Sequence, residues 1–566
     1  MVGETDTPPL SDNYLSGEAL AARLGAALSA RGLLDRTQLA YVQQKEALGD
    51  QVLWRLLIDE GLMGESDVVR LMSELQGIEY VDADDIDEPA EAVLTIFNKE
   101  MCLAAGFMPL RLEGEEMRIL LGDAMPADVA QIVMRRTGRR CRFQQTQFSL
   151  VTQLVRHSYH FAKNPPEKLL LREVQLIAGD ADHAHKPADL LNHMLHLAVR
   201  ERATDIHIAP GPCSLHVLFR IDGVLHPALA LPPALSRLGG YIKLLSEMDI
   251  SEQRRPQDGS FRTVVLDTPY TVRVSTIVTD LGERVVLRLL PESHDTKDLR
   301  ALGFFPEDVA VVERAMSSPV GLVLITGPTG SGKSSTLHAG LRMQHLVERN
   351  VLTVEDPLEY RVPMAGQTEV NRRAGYDFST ALRHFLRHDP DVILVGEVRD
   401  AETAQAALEA SATGHLVLST LHVTSVFGVV PRLMPLGLQP QIIAENLRLV
   451  INQRLVRRIC PGCSQTAPFT DAECVWLGMP QGSTGWRGLG CPRCRQTGFQ
   501  GRLPLYELLP VDEALANAIA ADVGREALRR LAVEAGFQPI GAQAKRRVLL
   551  GQTTTEEVFR VIGEGP

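Results

Sequence analysis

Aromatic side chains are scarce, with Phe, Trp and Tyr making only 5% of 566 residues and tryptophan occurring three times. That scarcity argues against a stacking platform for single-stranded nucleic acid. Positive charge is also short: 58 Lys and Arg face 70 Asp and Glu, a net charge of −12. Such a balance disfavours wrapping nucleic acid, whose affinity comes mostly from phosphate neutralisation, although local basic patches stay open. Long apolar runs are missing. The most apolar, GLVLITG at 321–327, falls far below the roughly 20 residues that cross a bilayer. The N-terminus MVGETDTPPLSDNY is acidic and polar, the opposite of a signal peptide, so the chain is expected to fold and stay in the cytosol. Cysteine is sparse, eight in all. Four of these sit in two C-x-x-C pairs, which in a cytosolic protein read as metal binding. Cys102, Cys141 and Cys213 are expected to be ordinary buried thiols. What is present is 45% hydrophobic and 23% charged residues, enough for about four domains with cores.

Residues 16–75 read as short amphipathic helices carrying a weak repeat. Leu24, Leu28 and Gly32 recur at a constant offset as Leu53, Leu57 and Gly61. Each leucine pair lies on one helical face, and the glycine can end the helix. Further on, LAAGFMPLRLEGEEMRILLGD alternates about a Glu-Gly turn as a hairpin does, and a helix is expected at 127–136. The Pro-, Asp- and His-rich stretch 162–190 reads as a linker, in which His183 and His185 are taken as solvated rather than metal-binding. From about 188, a helix LLNHMLHLAVRER precedes strand candidates DIHIAP, SLHVLFRIDGVL, GSFRTVVL, YTVRVSTIVT and ERVVLRLL. Beyond 306, short apolar strands alternate with helices, the pattern of a parallel sheet covered by helices. Helices return from 511 to the end.

The strongest motif lies at Gly327, Pro328, Thr329, Gly330, Ser331, Gly332, Lys333 and Ser334, followed by Ser335. It fits G-x-x-x-x-G-K-S, after a strand and before a helix. Glycines let backbone N–H groups curl around phosphate oxygens, and the helix N-terminus adds a field favourable to anions. Lys333 is expected on the β- and γ-phosphates and Ser334 on Mg²⁺. The motif says nucleoside triphosphate and leaves the driven task open. VLTVEDPLEY then supplies Glu355, Asp356 and Glu359, and DPDVILVGEVRD supplies Glu397; hydrolysis needs such acids for metal and water. The strand GHLVLSTLH closes on Thr420 and His422, at the ligand edge of a parallel sheet. His422 is read as sensing the γ-phosphate or orienting water. Cys460, Cys463, Cys491 and Cys494 form two hooks whose four sulfurs suit a closed, structural tetrahedral Zn²⁺ site; redox exchange and an iron–sulfur cluster are the alternatives.

Taken together, GPTGSGKSST, TVEDPLEY, LVGEVRD and GHLVLSTLH resemble the secretion-type ATPases that assemble type II secretion pseudopili and type IV pili. RATDIHIAP, LFRIDGVL, RRPQDGSF and VRVSTIVTDLGERVVLRLL extend the likeness upstream, and QRLVRRICPGC and LGCPRC downstream. The resemblance is close over 188–510 and weaker across most of the remainder. It implies a multidomain α/β protein: a helical docking or sensing domain at 1–90, a small α/β module at 91–160 and a linker at 161–187. A PAS-like arginine-bearing domain at 188–305 follows, then a RecA-like ATPase domain at 306–510 with a zinc insert at 459–497, and a helical domain at 511–566.

The same resemblance implies a homo-hexamer using ATP and Mg²⁺ at the cytoplasmic face of a bacterial inner membrane. Its expected partners are an inner-membrane platform protein and the cytoplasmic part of a membrane adaptor, with no direct nucleic-acid binding. Glu359 looks like the general base, and Glu397 like the acid that holds Mg²⁺ through water. Arg273 and Arg288 resemble arginines that reach the phosphates, and Arg383 and Arg432 those that complete the site. The family's zinc insert favours assembly over retraction. Residues 16–75 look like a cyclic di-GMP domain, with Arg23, Leu24, Gly25 and Leu28 matching its first motif. In the second, Trp54 stands between Leu53 and Leu57 where glycine is expected; its indole either blocks close approach or stacks on guanine. A docking surface for a membrane partner is the other reading of this region. Competing functions are a motor for DNA uptake or conjugative transfer, a DNA helicase, and a nucleotide-gated scaffold that does not hydrolyse.

Overall fold

Turn chemistry and alternation determine most of the elements in this computed structural model. It describes residues 14–49, 51–179, 187–233, 237–292, 298–344, 346 and 348–563. Two units are present: one comprises residues 1–30 and 69–293, the other residues 31–68 and 294–566. Among the described residues, no helix is long and apolar enough to cross a membrane.

The first unit opens its sheet with the expected hairpin, Phe107–Glu113 against Glu116–Leu121, and the helix Pro126–Thr137 follows. The four-stranded order is Glu79–Tyr80, Arg140–Gln145, Glu116–Leu121, Phe107–Glu113. Because Glu79–Tyr80 pairs in parallel with Gln144 and Gln145, this module begins upstream of residue 91, and the boundary at 90 is corrected. The linker at 161–187 is corrected as well. It contains the helix Pro166–Gly179, whose Leu170 is fully buried in the core of the next module. His183 and His185 lie outside the described residues.

That next module is the helix Pro187–Arg200 packed on one face of a six-stranded antiparallel sheet. The strand order is Val224–Leu231, Leu215–Ile221, Asp205–Pro210, Gly282–Pro291, Thr268–Thr279, Gln257–Val265. The run SLHVLFRIDGVL splits into two strands, because Asp222 and Gly223 both adopt positive φ (48° and 85°) and form a tight hairpin turn. Ile206, Ile208, Val217, Phe219, Val272 and Leu287 face the helix side and make the core. The alternate residues therefore line the opposite face.

The second unit is built on seven strands. In order they are Gly366–Glu369, Val351–Glu355, Val392–Val395, Leu416–Leu421, Gly321–Thr326, Leu447–Ile459 and Phe499–Pro510. All neighbours are parallel except the last pair. Val392–Val395, Gly321–Thr326 and Leu416–Leu421 are buried along their whole length, as a parallel sheet covered on both faces requires. Their apolar residues feed two cores, one on each face. Between the last two long strands lies a small insert, a two-stranded sheet Ser464–Pro468 with Thr484–Gly488 and the helix Asp471–Leu477. Four helices between Glu513 and Ile562 end the chain.

Candidate functional site

The phosphate-binding loop sits where the buried strand Gly321–Thr326 meets the helix Lys333–Arg342. Gly327 has φ 142°, and a Cβ there would lie 2.5 Å from the carbonyl oxygen of Gln453. Only glycine accommodates both the left-handed backbone and that approach. Gln453 also donates from Nε2 to the Ser331 carbonyl at 2.7 Å and accepts Thr336 Oγ1 at 3.0 Å, so the neighbouring strand clamps the loop. Lys333 donates to the carbonyls of Gly327 and Pro328 at 3.0 and 3.2 Å. Its pKa lies below the usual lysine value because it is desolvated; nearby Glu397 and Glu359 oppose that shift, and Arg454 adds to it. The Ser331 hydroxyl is buried with no hydrogen-bond partner among the described residues. A desolvated ammonium and an unsatisfied hydroxyl beside curled backbone suit a phosphate group.

Glu397 follows the strand Val392–Val395 and His422 follows Leu416–Leu421; these strands are neighbours in register. The result is a pair, His422 Nε2 3.0 Å from Glu397 Oε1. Arg399 Nε donates to the other carboxylate oxygen at 2.7 Å. Thr420, read as pointing to the ligand edge, instead donates to the Gly396 carbonyl at 2.7 Å and ties the two strand ends together. Asp356 is engaged by Arg372 at 3.0 Å. Glu359 is exposed, yet close enough to Lys333 to act on its pKa.

Two of the predicted arginines lie in the same unit as this loop. Arg383 is exposed and binds back to Ser379 and Thr380 of its own helix. Arg432 is exposed on the short helix Val429–Leu433. Among the described residues, neither makes a hydrogen bond or ion pair with the phosphate loop. Arg454, to which the sequence alone assigns no role, is held by Asn452, the Gln453 carbonyl and the Thr424 carbonyl at 3.0, 2.9 and 3.2 Å. Its position inside QRLVRRICPGC was the only signal for it.

Within the first unit, Arg273 and Arg288 are cross-strand partners. Register extends the row to Asp205 and Arg220 on one side and to Ser260 on the other. Buried Asp205 accepts Arg288 Nε at 2.9 Å and lies 3.7 Å from Arg220 Nε. Arg273, Arg288, Asp205 and Ser260 line a groove of about 560 Å³. Like charges directly opposite in a sheet are unfavourable alone, so the Arg273–Arg288 pair suits an anion.

The four cysteines converge. Sγ–Sγ separations are 3.8 Å for Cys460–Cys491, 3.7 Å for Cys463–Cys494 and 3.7 Å for Cys491–Cys494. A tetrahedron with about 2.3 Å metal–sulfur bonds has edges of about 3.8 Å. The Gly490 and Gly498 amides donate to Cys463 and Cys494 Sγ, both at 3.3 Å. Burial pushes Cys460 up to about 12. For Cys494 burial acts the same way, but the amides of Cys491 and Gly498 outweigh it and bring this thiol down to about 7. This donor set fits a thiophilic cation. Of the other thiols, Cys102 is buried and Cys141 half-buried, while Cys213 is exposed, which corrects its expected burial.

In the N-terminal repeat, Leu24, Gly25, Leu28, Leu53, Trp54 and Leu57 are buried and Arg23 is exposed. Trp54 is 4% exposed, so its indole offers no open face for stacking on a base.

The sequence matches the family described as type II/IV secretion system protein over residues 180–560 and the MshEN domain over 76–165. It is 43% identical over 389 residues to the type II secretion system protein E of Aeromonas hydrophila, covering 68% of this chain and 77% of that protein. With the type IV pilus assembly ATPase PilB of Thermus thermophilus it shares 34% identity over 535 residues, 91% of this chain and 59% of the relative. The solved Legionella pneumophila ATPase DotB covers 67% of this chain and 96% of its own at 24% identity and a TM-score of 0.49.

Proposed function

Because the chain belongs to the type II/IV secretion system protein family, and is on that ground an ATP hydrolase serving secretion or pilus assembly, we propose that it works as a hexamer. In this reading it drives an inner-membrane platform protein from the cytoplasmic face, attached through the cytoplasmic part of a membrane adaptor. The observation that carries the catalytic part is the Glu397–His422 pair at 3.0 Å, at strand ends beside a phosphate loop whose lysine feels Glu397 and Glu359.

The proposed roles follow from chemistry. Lys333 exchanges the Gly327 and Pro328 carbonyls for β- and γ-phosphate oxygens, while the amides of residues 329–335 surround the phosphates. Ser334, and Glu397 through water, would hold Mg²⁺, which supplies charge neutralisation on the phosphates. Glu359, exposed near Lys333, accepts the proton of the attacking water. His422 orients Glu397 and responds to the γ-phosphate. Arg273 and Arg288 bring cationic charge from a PAS-like module; guanidinium stays charged and can bind phosphate bidentately. Arg383 and Arg432, exposed in one chain, complete the site when copies assemble. Zinc is the proposed occupant of the four-cysteine cluster, as a closed structural site. For the N-terminal region we favour the docking role. Cyclic di-GMP binding at Arg23–Leu28 and Leu53–Leu57 is the second reading; the MshEN match at 76–165 lies outside these residues, and buried Trp54 weakens it.

The test is steady-state hydrolysis by the assembled full-length chain. Lys333→Ala should abolish nucleotide binding, whereas Glu397→Gln should retain binding and lose most turnover. Normal turnover in Glu397→Gln would remove its assignment. Stimulation by the platform protein and indifference to DNA separates filament assembly from a DNA motor.

A further inference from the structure

A polar chain outside the phosphate-binding set connects the helix of the phosphate loop to the segment carrying Glu359. His338, on that helix, is 1% exposed. Its Nδ1 lies 2.8 Å from the Ser334 carbonyl one turn back, an N–H donating to C=O. Its Nε2 lies 3.1 Å from Glu355 Oε2, close enough for an ion pair but not aligned as a hydrogen bond. Glu355, 4% exposed, also accepts Thr353 Oγ1 at 2.9 Å and Gln367 Nε2 at 3.3 Å.

Gln367 then grips the segment that follows Glu359. Its Nε2 donates to the Tyr360 carbonyl at 2.9 Å, and its Oε1 accepts the Val362 amide at 2.7 Å. Tyr360 returns to the start: its ring lies 5.1 Å from the His338 ring, and its hydroxyl 3.4 Å from Ser335 Oγ. The path therefore closes, from Ser334 through His338, Glu355, Gln367 and Tyr360 back to Ser335.

A buried histidine–carboxylate pair, an ion pair only when the imidazole is protonated, adds little net stability, and apolar side chains of similar volume often serve better. What such a pair can supply is direction, because each partner holds the other in one orientation. Here the two partners sit on elements with separate duties. The helix presents Ser334 and the N-terminus that cradles phosphate. The strand end leads to Glu359, which is exposed and gains its place from Tyr360 beside it in sequence.

We propose that His338, Glu355 and Gln367 form a positioning relay that sets the distance between the Glu359 segment and the Ser334 end of the phosphate loop. The proposal rests on the roles assigned above to Glu359 and Ser334. None of the three residues is placed on the nucleotide, so they are positioning residues. Nucleotide affinity comes from the loop amides and Lys333 and should survive loss of the relay. Turnover depends on where the base stands, and a misplacement of about 1 Å can cost about 100-fold.

The experiment uses the assembled full-length chain with His338→Asn, Gln367→Ala and the double variant. It reads kcat, the Kd for a fluorescent non-hydrolysable ATP analogue, and hydrogen exchange at the Val362 amide. Each single variant should lower kcat by about tenfold or more with Kd within about twofold, since only placement of the base changes. Exchange at Val362 should accelerate even in His338→Asn, which does not touch that amide. The double variant should be no worse than the worse single one, as expected for residues acting as one unit. Unchanged kcat, a Kd that weakens in proportion to kcat, or losses that multiply in the double variant would each overturn the relay. If His338→Asn does not melt cooperatively, Gln367→Ala, on the sheet's edge strand and partly exposed, decides by the same criteria for kcat, Kd and Val362. Glu359→Gln separates the two levels. Normal turnover there removes the base assignment, whereas a dead Glu359→Gln beside a fully active Gln367→Ala removes only the relay.

Discussion

Replacing Cys494 with serine perturbs one corner of the four-sulfur cluster and should open the insert without stopping the motor's chemistry. Beside the cluster, the insert has polar ties, Arg487 pairing with Glu473 within it at 2.9 Å and with Glu556 beyond it at 2.8 Å. Its two strands, Ser464–Pro468 and Thr484–Gly488, form a two-stranded sheet, which alone is marginal in water. Its apolar contacts are few, chiefly Leu477, Phe469 and Trp476 on a small core with Val456 and Val548. A structural zinc ion contributes about 10–16 kcal/mol of apparent binding free energy at neutral pH, much more than those contacts. Losing one of four ligands should therefore release residues 460–497, while the strands Leu447–Ile459 and Phe499–Pro510 keep their ladder. The assay is metal content together with site-resolved hydrogen exchange. The amides of Gly490, Cys491 and Gly498, which donate to cysteine sulfur at 3.2–3.3 Å, should lose protection in Cys494→Ser and after chelation, with kcat falling later or less. Freshly reduced wild-type protein free of bound metal, or a serine variant with full amide protection, would refute the reasoning.

Three further outcomes are expected. Asp205→Asn removes the buried carboxylate that holds Arg288 at 2.9 Å; a hydrogen bond to a charged group is worth about 1.5–3 kcal/mol, so kcat/KM for ATP should fall by about ten- to hundredfold where that energy is expressed in the transition state. Gly327→Ala meets the Gln453 carbonyl oxygen at 2.5 Å with φ at 142° and should lose nucleotide binding in equilibrium titration. Acid should loosen the C-terminal helices through Glu557, whose pKa is below the ordinary value: burial raises it, but Arg560 and Arg457 outweigh burial. A depressed carboxylate stabilises fully above its unfolded pKa of about 4.3 and loses that contribution as pH falls through the folded one. Thermal melts should thus weaken below about pH 4, and Glu557→Gln should flatten that dependence.

The sequence displayed elements whose cause is local and concealed those whose cause is tertiary. The hairpin around 107–121 was legible because alternation and the Glu-Gly turn sit within one short stretch, and the phosphate loop because its glycines and lysine are contiguous. The helix Pro166–Gly179 was hidden behind flanking Pro and His. Its reason for existing is Leu170, buried against a partner later in the chain. Glu79–Tyr80 is too short to announce a strand, and only its pairing with Gln144 and Gln145 makes it one. Asp205, His338 and Arg454 went unassigned for a similar reason. An acid in DIHIAP or a histidine in a helix has no function by type; cross-strand register or packing supplies the partner.

The sites share one physical property: each retains an arrangement that would be unfavourable if stability were the only demand. Gly327 spends a left-handed backbone position against a carbonyl. Arg273 and Arg288 face each other across strands with one buried carboxylate between Arg288 and Arg220. His338 and Glu355 place an ionisable pair inside the sheet's cover. Four thiols stand 3.7–3.8 Å apart along three edges, too far for disulfides and too close for indifferent neighbours. Elsewhere, local preference and global fold agree, from the apolar parallel strands to the capped helix Asp471–Leu477. Natural sequences break that agreement mainly where function requires it. The proposed roles give each exception a purpose: anions for the arginines and the glycine loop, a cation for the thiols, and a fixed catalytic spacing for the buried pair.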